Sequence, residues 1–156
     1  MRAPSGWTSV NVVLVASEFN APIPDRMVEA ARARAKALGA TVVDVVRVPG
    51  TWEIPLAMRA ALARRDVDAG VAIGAIVTGE TKHDELIAHA VARELMHVQR
   101  ETGKPIGLGI TGPGMTWAQA EARVPNAARA VDAALRSAKA LGRKRGRPSA
   151  RKKRRP

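Results

Sequence analysis

The chain has 156 residues, the size of one ordinary domain, and 46% of them are hydrophobic, which is enough for a core. Aromatic residues make up only 3%, so that core must consist of aliphatic side chains. The absence of cysteine excludes disulfides and thiolate chemistry and leads us to expect a cytoplasmic protein. No apolar run has the length of a membrane span or the form of a signal peptide, so we expect no membrane partner.

Hydrophobic runs typical of buried strands alternate with stretches of helical periodicity. In chain order, the pattern predicts strands at 10–16, 41–48, 69–77 and 106–111, and helices at 22–38, 53–65, 81–100, 117–123 and 126–141. Strand–helix units joined by short loops predict an α/β fold with one domain. Its parallel four-stranded sheet is flanked by helices on both faces, as in a flavodoxin-like three-layer sandwich.

The net charge of +12 is concentrated at the C-terminal end. Residues 143–156 include nine Lys and Arg and no acid, which leaves seventeen basic against fourteen acidic residues, or +3, in the rest of the chain. Such a segment cannot bury apolar surface, so we expect a folded domain at 1–142 and a disordered basic tail at 143–156. Within the tail, residues 145–148 resemble an AT-hook, which binds the minor groove of A·T-rich DNA.

Four loops follow the predicted strands, at 17–20, 49–53, 78–83 and 111–115. In parallel α/β folds, ligands bind beyond the carboxyl ends of the strands, where these loops meet. An aromatic side chain, a carboxylate, a histidine and a glycine loop at a helix start occur together there. The combination favours a site for a flat polar ring and a phosphate.

The third loop has two interpretations. Free N–H groups at a helix start, with the hydroxyl of Thr81, would form an anion site. Alternatively, Thr81 and Asp84 form a capping box and the loop is only a capped turn. His83, in the first helical turn, is either a base that the helix dipole keeps neutral or a structural side chain. The spacing of the three histidines predicts no metal site.

Side chains in the other loops have similar pairs of interpretations. Phe19 and Trp52 either stack on a planar ligand or seal the core, and for Trp52 we expect the core. Glu53 either accepts from a ligand's N–H groups or caps a helix end. Arg123 and Arg129 either bind phosphate or lie on the surface.

Three segments resemble lumazine synthases, and the resemblance extends from about residue 10 to residue 141. These segments are Ala-Ser-Glu-Phe-Asn at 16–20, Val-Arg-Val-Pro-Gly-Thr-Trp-Glu-Ile-Pro at 46–55 and Gly-Ala-Ile-Val-Thr-Gly-Glu-Thr-Lys-His-Asp at 74–84. The resemblance implies that His83 transfers protons. It implies a pyrimidine and ribityl site at Phe19, Asn20, Thr51, Trp52, Glu53, Val77, Gly79 and Leu108. It implies a phosphate site at Glu80, Thr81 and Arg123, with Lys82, Arg129 and Asp132 as further candidates.

The family condenses 5-amino-6-(D-ribitylamino)uracil with 3,4-dihydroxy-2-butanone 4-phosphate, releasing phosphate and water, in the penultimate step of riboflavin biosynthesis. The resemblance implies that no metal or organic cofactor is needed. It also implies a homopentamer, which some members build into larger shells, with active sites between subunits. Two positions depart from the family, since many members have Arg in place of Thr78 and Phe in place of Leu108. These departures leave open an alternative, a catalytically weak shell-forming or nucleic-acid-associated paralogue.

The tail gives the first testable prediction. Removal of residues 143–156 should abolish weak, salt-sensitive binding to DNA or RNA without changing lumazine formation, because nine of the positive charges are lost and no expected site residue is removed. A salt titration of the full-length and truncated proteins against A·T-rich and G·C-rich duplexes measures this. Equal binding by the truncated protein would place the basic surface on the folded domain.

Overall fold

The computed structural model describes residues 10–142, so the expected disordered tail and its AT-hook lie outside the described residues. Strands and helices alternate as the sequence predicts. In chain order they are β1 (Asn11–Ser17), α1 (Ile23–Ala37), β2 (Thr41–Val48), a 3-10 turn (Thr51–Glu53), α2 (Ile54–Leu62), β3 (Ala69–Ala75), α3 (His83–Thr102), β4 (Ile106–Thr111), α4 (Trp117–Ala122) and α5 (Asn126–Ala140). Among these residues no helix is long and apolar enough to cross a membrane.

The four strands form one parallel sheet in the order β2-β1-β3-β4. Helices α1 and α5 cover one face, and α2 and α3 cover the other. The predicted α/β sandwich is therefore confirmed. The strand order reverses between β1 and β3, because the chain passes from β1 to β2 on one side of β1, whereas β3 lies on its other side. Such a reversal opens a crevice at the carboxyl ends of the two strands.

The two central strands are buried along their whole length. Side chains of β1 alternate between the two faces: Leu14 and Ala16 join the cluster under α1 and α5, whereas Val13 and Val15 join the cluster under α2 and α3. Both clusters are almost entirely aliphatic, as the low aromatic content requires. The two helical layers thus pack on the sheet through aliphatic side chains, and neither cluster contains an aromatic side chain.

Helix α5 lies directly on β4 because β4 carries glycine on that face. A Cβ atom at Gly107 would overlap the carbonyl group of Ala130, and one at Gly109 would lie 3.5 Å from the Ala130 methyl group. Leu108, between them, faces the opposite side and is 60% exposed. The last strand is therefore packed tightly on one face, whereas on the other face Ile106 and Ile110 are partly covered and Leu108 is exposed.

Exposure within the elements is uneven. Leu86 of α3 is exposed, while Val91 and Leu95 of the same helix are buried. The buried face of α5 includes Ala127 and Ala130, whereas Ala128 is half-buried. Strand β2 lies at the edge of the sheet, and most of its side chains are exposed or half-buried despite its many valines. Edge position is a property of the whole sheet and is not encoded in one segment.

Candidate active site

A cavity of about 180 Å³ lies at the carboxyl ends of β1 and β3, where the crevice was expected. It is lined by Phe19, Asn20, Thr51, Ala75, Ile76, Val77, Gly79, Thr81, His83, Asp84 and Ile87. The first three predicted loops therefore meet at one place. Ala75, Ile76, Asp84 and Ile87 were not among the site residues expected from the sequence.

The first loop is held over the cavity by hydrogen bonds to both neighbouring strands. The N–H groups of Glu18 and Phe19 donate to the carbonyl groups of Val48 and Pro49, at 2.8 and 2.9 Å. Asn20 adopts a left-handed conformation with a φ of 67°, and its Nδ2 donates to the carbonyl group of Ala75 at 2.7 Å. Phe19 is consequently turned outward and is 71% exposed at the mouth of the cavity.

The second loop is anchored at Thr51, which is buried against the backbone of Gly74. A Cβ atom at Gly74 would overlap the methyl group of Thr51 and the hydroxyl group of Ser17, so only glycine leaves room for this contact. Glu53 Oε2 accepts a hydrogen bond from the N–H group of Gly50 at 2.9 Å. The capping interpretation of Glu53 is therefore correct.

Trp52 does not seal the core. Its side chain is 58% exposed, and it lines a separate groove of about 360 Å³ between α2 and α3, together with Leu56 and His97. The expectation of a buried Trp52 is wrong because, within the 3-10 turn Thr51–Glu53, Thr51 occupies the buried position and the next side chain is left outside. This groove is larger than the His83 cavity, but Trp52 is the one expected site residue within it.

Helix α3 begins at His83, and the predicted capping box between Thr81 and Asp84 does not form. Thr81 Oγ1 accepts a weak hydrogen bond from the N–H group of His83 at 3.3 Å. The Asp84 carboxylate instead accepts from the N–H group of Gly114 at 3.0 Å and from the Thr78 hydroxyl at 3.2 Å. Asp84 is thus used to join two loops.

The hydrogen bonds to Asp84 favour its ionised form. The Gly114 N–H group, the N–H groups of Glu85 and of Asp84 itself, and the Thr78 hydroxyl together lower the pKa of this carboxyl, although burial acts in the opposite direction. Asp84 is 8% exposed. A buried carboxylate is therefore kept charged at the floor of the cavity by donors from three segments of the chain.

The N–H groups available to an anion lie before the helix and not in its first turn. The N–H groups of His83, Asp84 and Glu85 already have acceptors within the chain. Within residues 10–142, the N–H groups of 79–82 have none. These N–H groups lie in the loop at 78–83 for which the sequence left open an anion site, at the positive end of the α3 dipole.

Two expected residues lie on other elements and do not line the His83 cavity. Leu108 is exposed on the face of β4 opposite α5. Arg123 follows α4 and donates to the carbonyl group of Gln119 at 3.0 Å. One chain therefore assembles only part of the set that the sequence resemblance implies.

The remaining candidates also lie away from that cavity. Lys82 precedes α3 and borders a shallow outer groove beside His89. Arg129 donates to Asn126 Oδ1 at 3.2 Å. Asp132 is ion-paired with Arg34 of α1 at 2.7 Å, so in the single chain its carboxylate joins α1 to α5 and does not line the His83 cavity.

Glu80 is exposed in the loop before α3, next to Thr81. Its backbone N–H group belongs to the unpaired series at 79–82, so the loop rather than its carboxylate is suited to an anion. Among residues 10–142, no three His, Cys, Asp or Glu side chains are grouped as a metal ion would require.

Comparison with known proteins identifies a single family. Residues 9–142 match the family described as 6,7-dimethyl-8-ribityllumazine synthase. A protein of that name from Pyrobaculum arsenaticum is 47% identical over 131 residues, which cover 83% of this chain and 87% of the relative. One from Methanopyrus kandleri is 47% identical over 134 residues, covering 86% and 95%. One from Staphylothermus marinus is 50% identical over 121 residues, covering 77% and 81%.

The conformation of Asn20 gives a stability prediction. Asn20→Ala should lower the free energy of unfolding by about 2 kcal/mol, because it loses the hydrogen bond to Ala75 and places an alanine in the left-handed region. Asn20→Gly loses only the hydrogen bond and should cost about half as much. Urea unfolding at fixed protein concentration measures both. Equal losses would show that the backbone conformation contributes nothing, and no loss in either variant would show that the Ala75 contact does not hold the loop.

Proposed function

The chain belongs to the 6,7-dimethyl-8-ribityllumazine synthase family, and we propose that it condenses 5-amino-6-(D-ribitylamino)uracil with 3,4-dihydroxy-2-butanone 4-phosphate. It is an enzyme of this type, a transferase that acts in riboflavin biosynthesis. The observation that carries the proposal is the coincidence of the family match with one cavity. The three segments that resemble the family converge there around His83.

The pyrimidine and its ribityl chain are assigned to the part of the cavity under the first two loops. The exposed ring of Phe19 offers a face on which a flat heterocycle can stack. The polar groups of Asn20 and Thr51 lie in the wall beside it. Glu53 uses Oε2 to hold Gly50, which leaves Oε1 to accept from the ring's N–H groups. Trp52 lies next to it in the 3-10 turn.

The phosphate is assigned to the loop before α3. The unpaired N–H groups at 79–82 and the Thr81 hydroxyl supply donors, and the helix dipole favours negative charge at this position. Val77 and Gly79 join this loop to the pyrimidine side of the cavity. The two substrates would therefore lie next to each other along one loop, as a condensation requires.

From the family resemblance we propose that the reaction, which is redox-neutral, proceeds without a metal or organic cofactor. The amine of the pyrimidine adds to the ketone, and water leaves to give an imine. Loss of the α proton and of phosphate gives an enol, which takes a proton at its terminal carbon to become a methyl ketone-type carbonyl group, and ring closure onto that carbonyl group releases water. His83, in the first turn of α3 beside the phosphate loop, would transfer these protons. A positioned acid–base group of this kind contributes about 10²–10⁴-fold.

We further propose that the active site is shared between neighbouring copies in a homopentamer. The cavity of one chain lacks both Leu108 and the guanidinium of Arg123, although both have roles in the resemblance. Large apolar side chains are also left exposed in the single chain, at Phe19, Trp52, Leu56, Leu86 and Leu108 among others. A neighbouring copy that covered this surface could deliver Leu108 and Arg123 to the cavity. Cysteine-free composition supports a cytoplasmic location.

The alternative, a catalytically weak shell-forming or nucleic-acid-associated paralogue, is not favoured, because the relatives are named as synthases and match most of the chain. Weak nucleic-acid binding by residues 143–156 would add to the enzyme activity rather than replace it. Its support is the concentration of positive charge there.

The test of this function is turnover by the purified protein with both substrates, followed by lumazine fluorescence. His83→Ala should lower kcat by about 10²–10⁴-fold and leave the oligomer intact, because His83 is exposed at a helix start and packs no core. His89→Ala is the matched control, since it alters an exposed histidine of the same helix outside the cavity. Unchanged turnover in His83→Ala would remove it from the mechanism, and loss of the oligomer would indicate a structural role.

A further inference from the structure

The loops that follow β3 and β4 are joined through a single carboxylate oxygen. Asp84 Oδ2 accepts from the Gly114 N–H group at 3.0 Å and from the Thr78 hydroxyl at 3.2 Å. The N–H group of Thr78 in turn donates to the carbonyl group of Met115 at 2.8 Å. Gly114 has a φ of 74°, which is accessible at little cost only to glycine and which presents its N–H group to Asp84. Three hydrogen bonds therefore fix the β4–α4 loop to the start of α3.

This junction lies at the two ends of the loop that is proposed to bind phosphate. His83 directly precedes Asp84, and the unpaired N–H groups at 79–82 lie between Thr78 and the helix. The position of that short loop is fixed at one end by Thr78 and at the other by the first turn of α3, and both ends are bonded to Asp84. Loss of the carboxylate would remove the bonds that tie both ends of the loop to the start of α3 and to Gly114, and would leave the Thr78 N–H bond to Met115 as its remaining bond to the β4–α4 loop.

The negative charge of Asp84 does not exclude an anion nearby. Its oxygens are occupied by backbone N–H groups of Gly114, Glu85 and Asp84 itself, in addition to the Thr78 hydroxyl. These donors neutralise part of the charge. The N–H groups at 79–82, in contrast, have no acceptor among residues 10–142 and are the ones left for an anion.

We propose that Asp84 is a positioning residue for the phosphate-bearing substrate: it joins the start of α3 to the β4–α4 loop and so holds the N–H groups at 79–82 in an anion-binding arrangement before substrate binds. This inference rests on the proposed function. Asp84 acts through the loop and touches neither substrate. Its loss should therefore weaken binding of the butanone phosphate and leave binding of the pyrimidine nearly unchanged.

The experiment compares Asp84→Ala and Asp84→Asn with Asp68→Asn, in the full chain. Asp68 Oδ2 accepts from the Asn11 N–H group at 2.8 Å. It is therefore a carboxylate with the same kind of backbone bond, but at the amino ends of β1 and β3, away from the cavity. The measurements are kcat, the KM of each substrate, inhibition by inorganic phosphate and the Tm. Asp84→Asn keeps one oxygen that can accept from Gly114 and Thr78, so its effect should lie between wild type and alanine.

Asp84→Ala should raise the KM of the butanone phosphate and the Ki of inorganic phosphate by about tenfold, as a small displacement of a positioning group does, and change the KM of the pyrimidine by less than about twofold. Asp68→Asn should lower the Tm without changing either KM. An equal rise in both KM values, an unchanged phosphate Ki, or the same pattern in Asp68→Asn would overturn the proposal. If Asp84→Ala does not fold, Asp84→Asn and Thr78→Val test the same expectation with smaller losses.

Failure of this inference is distinguishable from failure of the proposed function. A wild-type protein that forms no lumazine contradicts the function. The positioning role is then decided by direct binding of inorganic phosphate, which should weaken in the order wild type, Asp84→Asn, Asp84→Ala. An active wild type whose phosphate Ki is the same in all variants contradicts only the role of Asp84.

Discussion

The parallel pairing of two fully buried strands, β1 and β3, determines where chemistry is possible in this protein. Both strands are covered on both faces, and their register aligns Val12 with Ala69 and Ala16 with Ile73. The chain leaves β1 toward one side of the sheet and continues from β3 toward the other, so their carboxyl ends cannot be covered by the same connection. The cavity around His83 fills that gap. Asn20, bonded to Ala75, and Thr51, packed on Gly74, attach the first two loops to the end of β3 beside this cavity.

The sequence predicted all the strands and helices of the described region because each has a strong period of its own. It also placed Phe19, Asn20, Thr51 and His83 at one edge, since parallel strands bring their carboxyl ends together. The failures have a common physical cause. Asp84 bonds to Gly114, thirty residues away in the chain, so the local pattern with Thr81 gave a capping box that does not form. Asp132 is likewise held by a distant partner, Arg34.

Exposure was the other property that the sequence did not predict. Trp52 was expected in the core because a large aromatic side chain is usually buried, yet a neighbouring threonine occupies the inward position. Leu86 is exposed on the outer side of α3, where it borders a groove with Lys82 and His89, while Val91 and Leu95 of the same helix are buried. Apolar spacing alone did not show which of these side chains the sheet covers.

The proposed shared site requires that each active site combine His83 of one copy with Arg123 of a neighbour. The most direct measurement is the activity of mixed assemblies made by coexpressing His83→Ala and Arg123→Ala chains. Each variant alone should be nearly inactive, and random mixing in equal amounts should restore roughly a quarter of wild-type turnover, because that share of interfaces pairs two intact residues. Mixed assemblies that form normally and remain as inactive as the separate variants would contradict the shared site.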